Sequence, residues 1–150
     1  MPTSIIDGTV EETSLKWSRR GVSLFDSIRF RNADGSEETV TKAVVKQEVA
    51  DQLTPGAKGR FYLFKAFDIG GVHGVRLPDG RAIYAFPANN QKIFMISGIV
   101  AALWVVLVMV TRGAIPFLGV GLLILSAVGW HLMSKGQREA KAQFEGDMGP

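Results

Sequence analysis

Residues Ile93–Met133 read IFMISGIVAALWVVLVMVTRGAIPFLGVGLLILSAVGWHLM, and within them only Arg112 and His131 can ionise. A run this long and this apolar is the pattern of membrane-spanning helices. The remainder of a 150-residue chain is too short to wrap it as a soluble core. The run divides at Thr111-Arg112-Gly113-Ala114. Each side then holds about 19 residues, which at ~1.5 Å per residue spans roughly 28 Å, close to the ~30 Å hydrocarbon core of a bilayer. The expectation is a transmembrane hairpin within residues 92–133, with spans 93–110 and 115–133. Gly113 suits a helix end and Pro116 the first turn of the next helix.

Outward from this run the composition changes. The N-terminal MPTSIIDGTVEETSLKW lacks a basic start followed by an apolar block, so no signal peptide is expected there. Lys92 precedes the first span, and Lys135, Arg138 and Lys141 follow the second. The intervening turn carries Arg112 alone. Four cations against one put both termini on the cytoplasmic side, at the inner membrane if the host is bacterial. The chain has no cysteine, which excludes disulfides and thiol catalysis. Net charge is +3, but residues 1–91 hold 12 Lys+Arg against 11 Asp+Glu. That balance argues against nucleic acid as a partner, because such binders show a basic excess.

Residues 1–91 are punctuated like a small β-domain. A long first strand is expected from Ile5 through Val10 to Trp17, interrupted at Glu11-Glu12. VSLFDSIRFR alternates, with Val22, Leu24, Ile28 and Phe30 on one face. Asn32–Gly35 is a turn into Glu38–Val45. The spacing of Val45, Val49 and Leu53 then predicts a short helix ended by Pro55-Gly56. Strands follow over Arg60–Phe67, Val72–Leu77 and Arg81–Phe86. Three strands, a helix and two or three strands is the element order of an OB-like barrel, with an SH3-like barrel as the alternative. Pro87–Asn90 is a short link to the membrane. Residues 134–150 form a cytosolic tail, helical over Gln137–Phe144 and ended by Gly146 and Gly149-Pro150.

The glycine-rich DIGGVHGVRLPDGRAIY, Asp68–Tyr84, matches neither a dinucleotide fingerprint nor a Walker loop, and no helix follows it. Gly70-Gly71 and Asp79-Gly80 are therefore expected to be hairpin turns. His73 lacks the company a metal or catalytic site needs, so no catalytic residue, metal or cofactor is assigned. In RFYLFKAF, Phe61, Leu63 and Phe67 share one face and Arg60, Tyr62 and Phe64 the other, as in a barrel strand covered on both sides. Arg60, Tyr62, His73, Arg76 and Arg81 are the candidate partner or ligand contacts on the barrel. In the spans, Ser97, Ala101, Trp104, Gly119, Ser126 and Gly129 are the candidate helix–helix interface, since small residues permit close approach. Trp104 falls near mid-span and points to a contact beyond the hairpin.

The pairing of a small β-barrel with a short membrane hairpin is similar in architecture to small bacterial membrane proteins that carry an OB-like domain and serve larger assemblies. The functional expectation is a non-catalytic, membrane-anchored adaptor or accessory subunit. Its partners would be membrane lipid and another membrane protein or itself. The alternatives are a self-assembling scaffold or pore-forming homo-oligomer, and, further off, a membrane-bound enzyme.

Overall fold

The computed structural model describes residues 2–66, 68–87 and 89–147, with the backbone alone for Asn89 and Asn90. The expectations for Phe67 as a strand residue, Ala88 in the link and Gly149-Pro150 as a helix stop fall outside them. The chain divides into two compact units, Met1–Pro87 with Glu139–Pro150, and Ala88–Arg138.

The first unit is built on strands β1 (Thr3–Arg19), β2 (Val22–Asn32), β3 (Glu37–Lys46), β4 (Lys58–Ala66), β5 (Ile69–Arg76) and β6 (Ala82–Tyr84). A short helix, α1 (Gln47–Ala50), lies between β3 and β4. The sheet order is β3-β2-β1-β4-β5-β6, and a parallel pairing of β3 with β5 at Ala43 and Gly70 closes β1 to β5 into a barrel. Closure leaves little room where β3 meets β5. A side chain at Gly71 would overlap the Val44 carbonyl and the Phe64 ring. Gly70-Gly71 therefore lie inside a strand and not in a hairpin turn as expected, and their role is close backbone approach. Gly80, at φ 88°, does occupy the turn between β5 and β6.

Three bulges shape the long β1–β2 hairpin. The register skips at Glu11, Lys16 and Asp26, each an extra residue on its strand. The skip at Asp26 reverses the alternation of β2. Ser23, Phe25, Ile28 and Phe30 are buried, and Leu24, expected inside, is only half-buried. Lys16 and Asp26 pair at 3.2 Å. The barrel interior is apolar: Ile6, Val10, Phe25, Ile28, Phe30, Val45, Phe61, Leu63, Val72 and Val75 form one cluster, joined by Val49, Ala50 and Leu53 from α1 and the turn after it.

The second unit contains helix α2 (Asn89–Arg112) and most of α3 (Phe117–Gly146), whose last turns, from Glu139, belong to the barrel unit. Gly113, at φ 62°, turns the chain between them. The helices run antiparallel. Gly129 receives the Phe94 ring, Gly98 faces Ser126, and Gly119 receives Trp104 and Val105. Gln91 donates to Ser134 Oγ at 3.0 Å. Ala101 and Ser126 are buried, while Ser97 is exposed. Trp104, expected to point beyond the hairpin, rests one edge on Gly119 and stays 42% exposed. Away from this seam both helices expose leucine, isoleucine and valine. Each is long and apolar enough to cross a membrane.

Candidate functional site

β4 buries side chains on both of its faces. Phe61 and Leu63 enter the barrel, while Tyr62 and Phe64 point outward and are equally covered. The outer face of β4, β5 and β6 carries a second aromatic cluster. Its centre is His73, which a skip in the β4–β5 register leaves as the extra residue of a bulge, since Tyr62 pairs with Gly74 and Leu63 with Val72. Four rings surround the imidazole at centroid distances of 5.8 to 6.3 Å: Tyr62, Phe64, Tyr84 and Phe86.

The chain's own helical end covers this cluster. Ala140 and Phe144, one turn apart on α3, are both buried. Phe144 packs edge-on against Tyr62 at 4.8 Å and tilted against Tyr84 at 5.3 Å. Its ring fills the space where Gly74 lacks a side chain, since a Cβ there would sit 2.6 Å from Phe144 Cδ2. The Arg76 guanidinium lies 4.8 Å from the centroid of the Phe144 ring and donates to the Phe144 carbonyl at 2.9 Å. A cation there complements the negative end of the helix dipole. Just past the helix, Asp147 accepts from Arg60 Nη1 at 2.9 and 3.1 Å and from Tyr62 Oη at 2.8 Å. Arg60 also donates to Asp7 at 3.0 Å.

These contacts set the protonation states. Arg60 is held more firmly protonated, first by its bond to Asp7 and then by Asp147, against the effect of burial. Burial raises the Tyr62 phenol, and the neighbouring Asp147 raises it further. Burial pushes His73 down to about 4. The Ala140 backbone favours the protonated form slightly, but neither imidazole nitrogen has a partner in hydrogen-bond geometry. The imidazole is therefore neutral at pH 7. Among the described residues, the buried side-chain polar atoms without a hydrogen bond are His73 Nδ1 and Nε2, Arg76 Nε and Gln143 Oε1. All four belong to side chains of β5 or of the covering segment of α3.

Of the expected barrel contacts, Arg60, Tyr62, His73 and Arg76 gather under α3. Arg81 takes no part in these contacts and is held in the β5–β6 turn by Asp79, Nε to Oδ2 2.6 Å. Phe144, Ala140 and Asp147 complete the cluster and are marked by no motif in the sequence. A periodic signal was present: Gly136, Ala140 and Phe144 recur every four residues in an otherwise polar tail. Among the described residues no group of three or more His, Asp or Glu side chains could hold a metal ion. Compared with protein-family models, curated proteins and solved structures, the chain matches none.

Proposed function

We propose that this protein is a non-catalytic, membrane-anchored adaptor whose barrel is a receptor for a helix. The observation that carries this reading is the outer face of β4–β6. It has an aromatic floor, a notch at Gly74 for one ring, and Arg60 and Arg76 to hold a helix C-terminus. In this structure the chain's own end fills it. Four unpaired polar atoms at the contact mean the fit is incomplete, since each buried, unpaired group carries a desolvation cost. A partner helix that satisfied them would compete with the tail for the same face.

The barrel in this reading is of the OB type. The strand circuit 1-2-3-5-4, with a helix between β3 and β4, supports that class over an SH3-like one. The α2–α3 pair acts as a transmembrane hairpin, supported by the exposed apolar side chains on both helices. Lys and Arg near the spans favour cytoplasmic termini. Anchoring confines the barrel to a surface and raises its effective concentration toward whatever it meets there.

The test is purification from the native host in mild detergent at native expression, followed by mass spectrometry. A second membrane protein should be recovered in stoichiometric amount. Phe144→Ala should raise its recovery several-fold, and Gly74→Leu, which fills the notch, should abolish it. Recovery of the chain alone, as a monomer or a defined multimer, would overturn the adaptor reading.

A further inference from the structure

The outer face of β1–β3 is polar for most of its length. Residues directly opposite one another in adjacent strands share a face. The rows Glu12–Arg29–Thr39 and Ser14–Ser27–Thr41 run across it. The next row is different. Trp17 stands opposite Leu24, and Leu24 opposite Val44. Trp17 is 42% exposed, and Leu24 and Val44 are half-buried. Beyond it lies a basic row, Arg19 opposite Val22 and Val22 opposite Lys46. The hairpin tip follows at Arg20-Gly21, both at positive φ, with Arg20 exposed.

The cations of this end are uncommitted. Arg19, Arg20 and Lys46 have no ion pair among the described residues. The neighbouring carboxylates are mostly engaged: Asp26 by Lys16, and Asp51 by the Gln47 amide at 2.6 Å. Glu48, two residues beyond Lys46, subtracts one charge. An aromatic and aliphatic row edged by free cations has the composition of a surface that rests at the headgroup level of a bilayer. There the indole takes the interface and the cations meet anionic phosphates.

We infer that the Trp17–Leu24–Val44 row, with Arg19, Arg20 and Lys46, is a docking surface for anionic lipid headgroups. A protein partner would be matched less well, because the apolar strip is one row wide and its border is of a single sign. The inference rests on the bilayer-spanning reading of α2 and α3. That anchor supplies lipid at high effective concentration, so few cations suffice. Each cation at an anionic surface strengthens binding about fivefold.

Because the chain has no cysteine, single labels report cleanly. The full-length protein would carry an environment-sensitive fluorophore at Ser14→Cys, exposed in the adjoining row of the same face, or at Leu125→Cys, 64% exposed on α3. Each would be placed in nanodiscs of phosphatidylcholine alone or with a third phosphatidylglycerol. Headgroup spin labels should quench the Ser14 probe several-fold more in the anionic discs. Adding Trp17→Ser, Arg19→Ser and Arg20→Ser should return it to the phosphatidylcholine level. These three residues are exposed, so circular dichroism should show the barrel intact. A label at Thr41→Cys, exposed in the same row on β3, repeats the reading. If the Leu125 probe is quenched by acyl-chain labels while the Ser14 and Thr41 probes stay silent, the surface assignment fails and the membrane reading stands. Equal quenching in both lipids, or no loss in the triple variant, also overturns it. A silent Leu125 probe would remove the bilayer reading and this inference with it.

Discussion

The two faces of β4 invite comparison. On the inner side, Phe61 and Leu63 join a cluster built from five strands and α1, with apolar neighbours throughout. On the outer side, Tyr62 and Phe64 are as thoroughly buried, yet Tyr62 is capped by Phe144 of a single helical end. Among the described residues, the inner side buries the hydroxyl of Ser23 at its edge, and that hydroxyl is hydrogen-bonded to Ser18 and Gln47. The outer one contains an imidazole with both nitrogens unpaired, and further unpaired atoms on Arg76 and Gln143. Equal burial therefore does not mean equal commitment. The inner face can open only if the barrel opens. The outer face can open by release of one segment, a local event of much lower free energy.

The comparison breaks most visibly with paired truncations. Phe61→Ala should cost about 4 kcal/mol, as expected for a fully enclosed ring, and should unfold the barrel at lower denaturant concentration. Equal denaturation midpoints for Phe61→Ala and wild type would show that the inner cluster does not hold the barrel.

Acid should act on the outer face. In the unfolded chain an imidazole titrates near 6.5, whereas burial holds His73 at about 4. Between those values the unfolded state binds a proton that the native state refuses. The His73 contribution is thus fully present above pH 6.5 and is lost as pH falls toward 4. The gap amounts to roughly 3 kcal/mol. His73→Phe should flatten the pH profile across that window and, by removing an unpaired buried polar group, stabilise the neutral protein by about 1 kcal/mol. An unchanged acid limb would show that other groups control it.

Phe144→Ala should cost about 2 kcal/mol, less than Phe61→Ala because the site sits at the margin of the fold. Its effect should be local. Hydrogen exchange should accelerate over residues 139–147 while β1 and β2 amides stay protected. Gly74→Ala should do the same from the other side, by overlap with the Phe144 ring. Uniform acceleration across the barrel would mean the tail is part of the global folding unit. The smallest effect is expected from Asp147→Asn, about 1 kcal/mol, since Asp147 and its partner Arg60 are both partly open to solvent. Raised salt should shrink the difference between the two proteins.

Several elements were legible because their cause is local. The length and apolarity of Ile93–Met133 determine two long helices and a break near Gly113, since helix length and hydropathy depend on consecutive residues. The order of strands and the short helix at Val49 follow from periodicity. Arg60, Tyr62, His73 and Arg76 could be named as candidates from their residue types and strand positions.

What the chain alone could not disclose is what lies against what. Bulges at Asp26 and His73 insert one residue each and reverse which side chains face inward, and they are visible only in the pairing of two strands. Gly70-Gly71 look like a turn until β3 is brought against β5. The tail looks like a plain helical extension until Phe144 meets Gly74, some seventy residues away in the chain. Local pattern sets how each segment folds. Contacts between distant segments, which carry no periodic signature, decided that the barrel has a second buried face and that the chain's own end covers it.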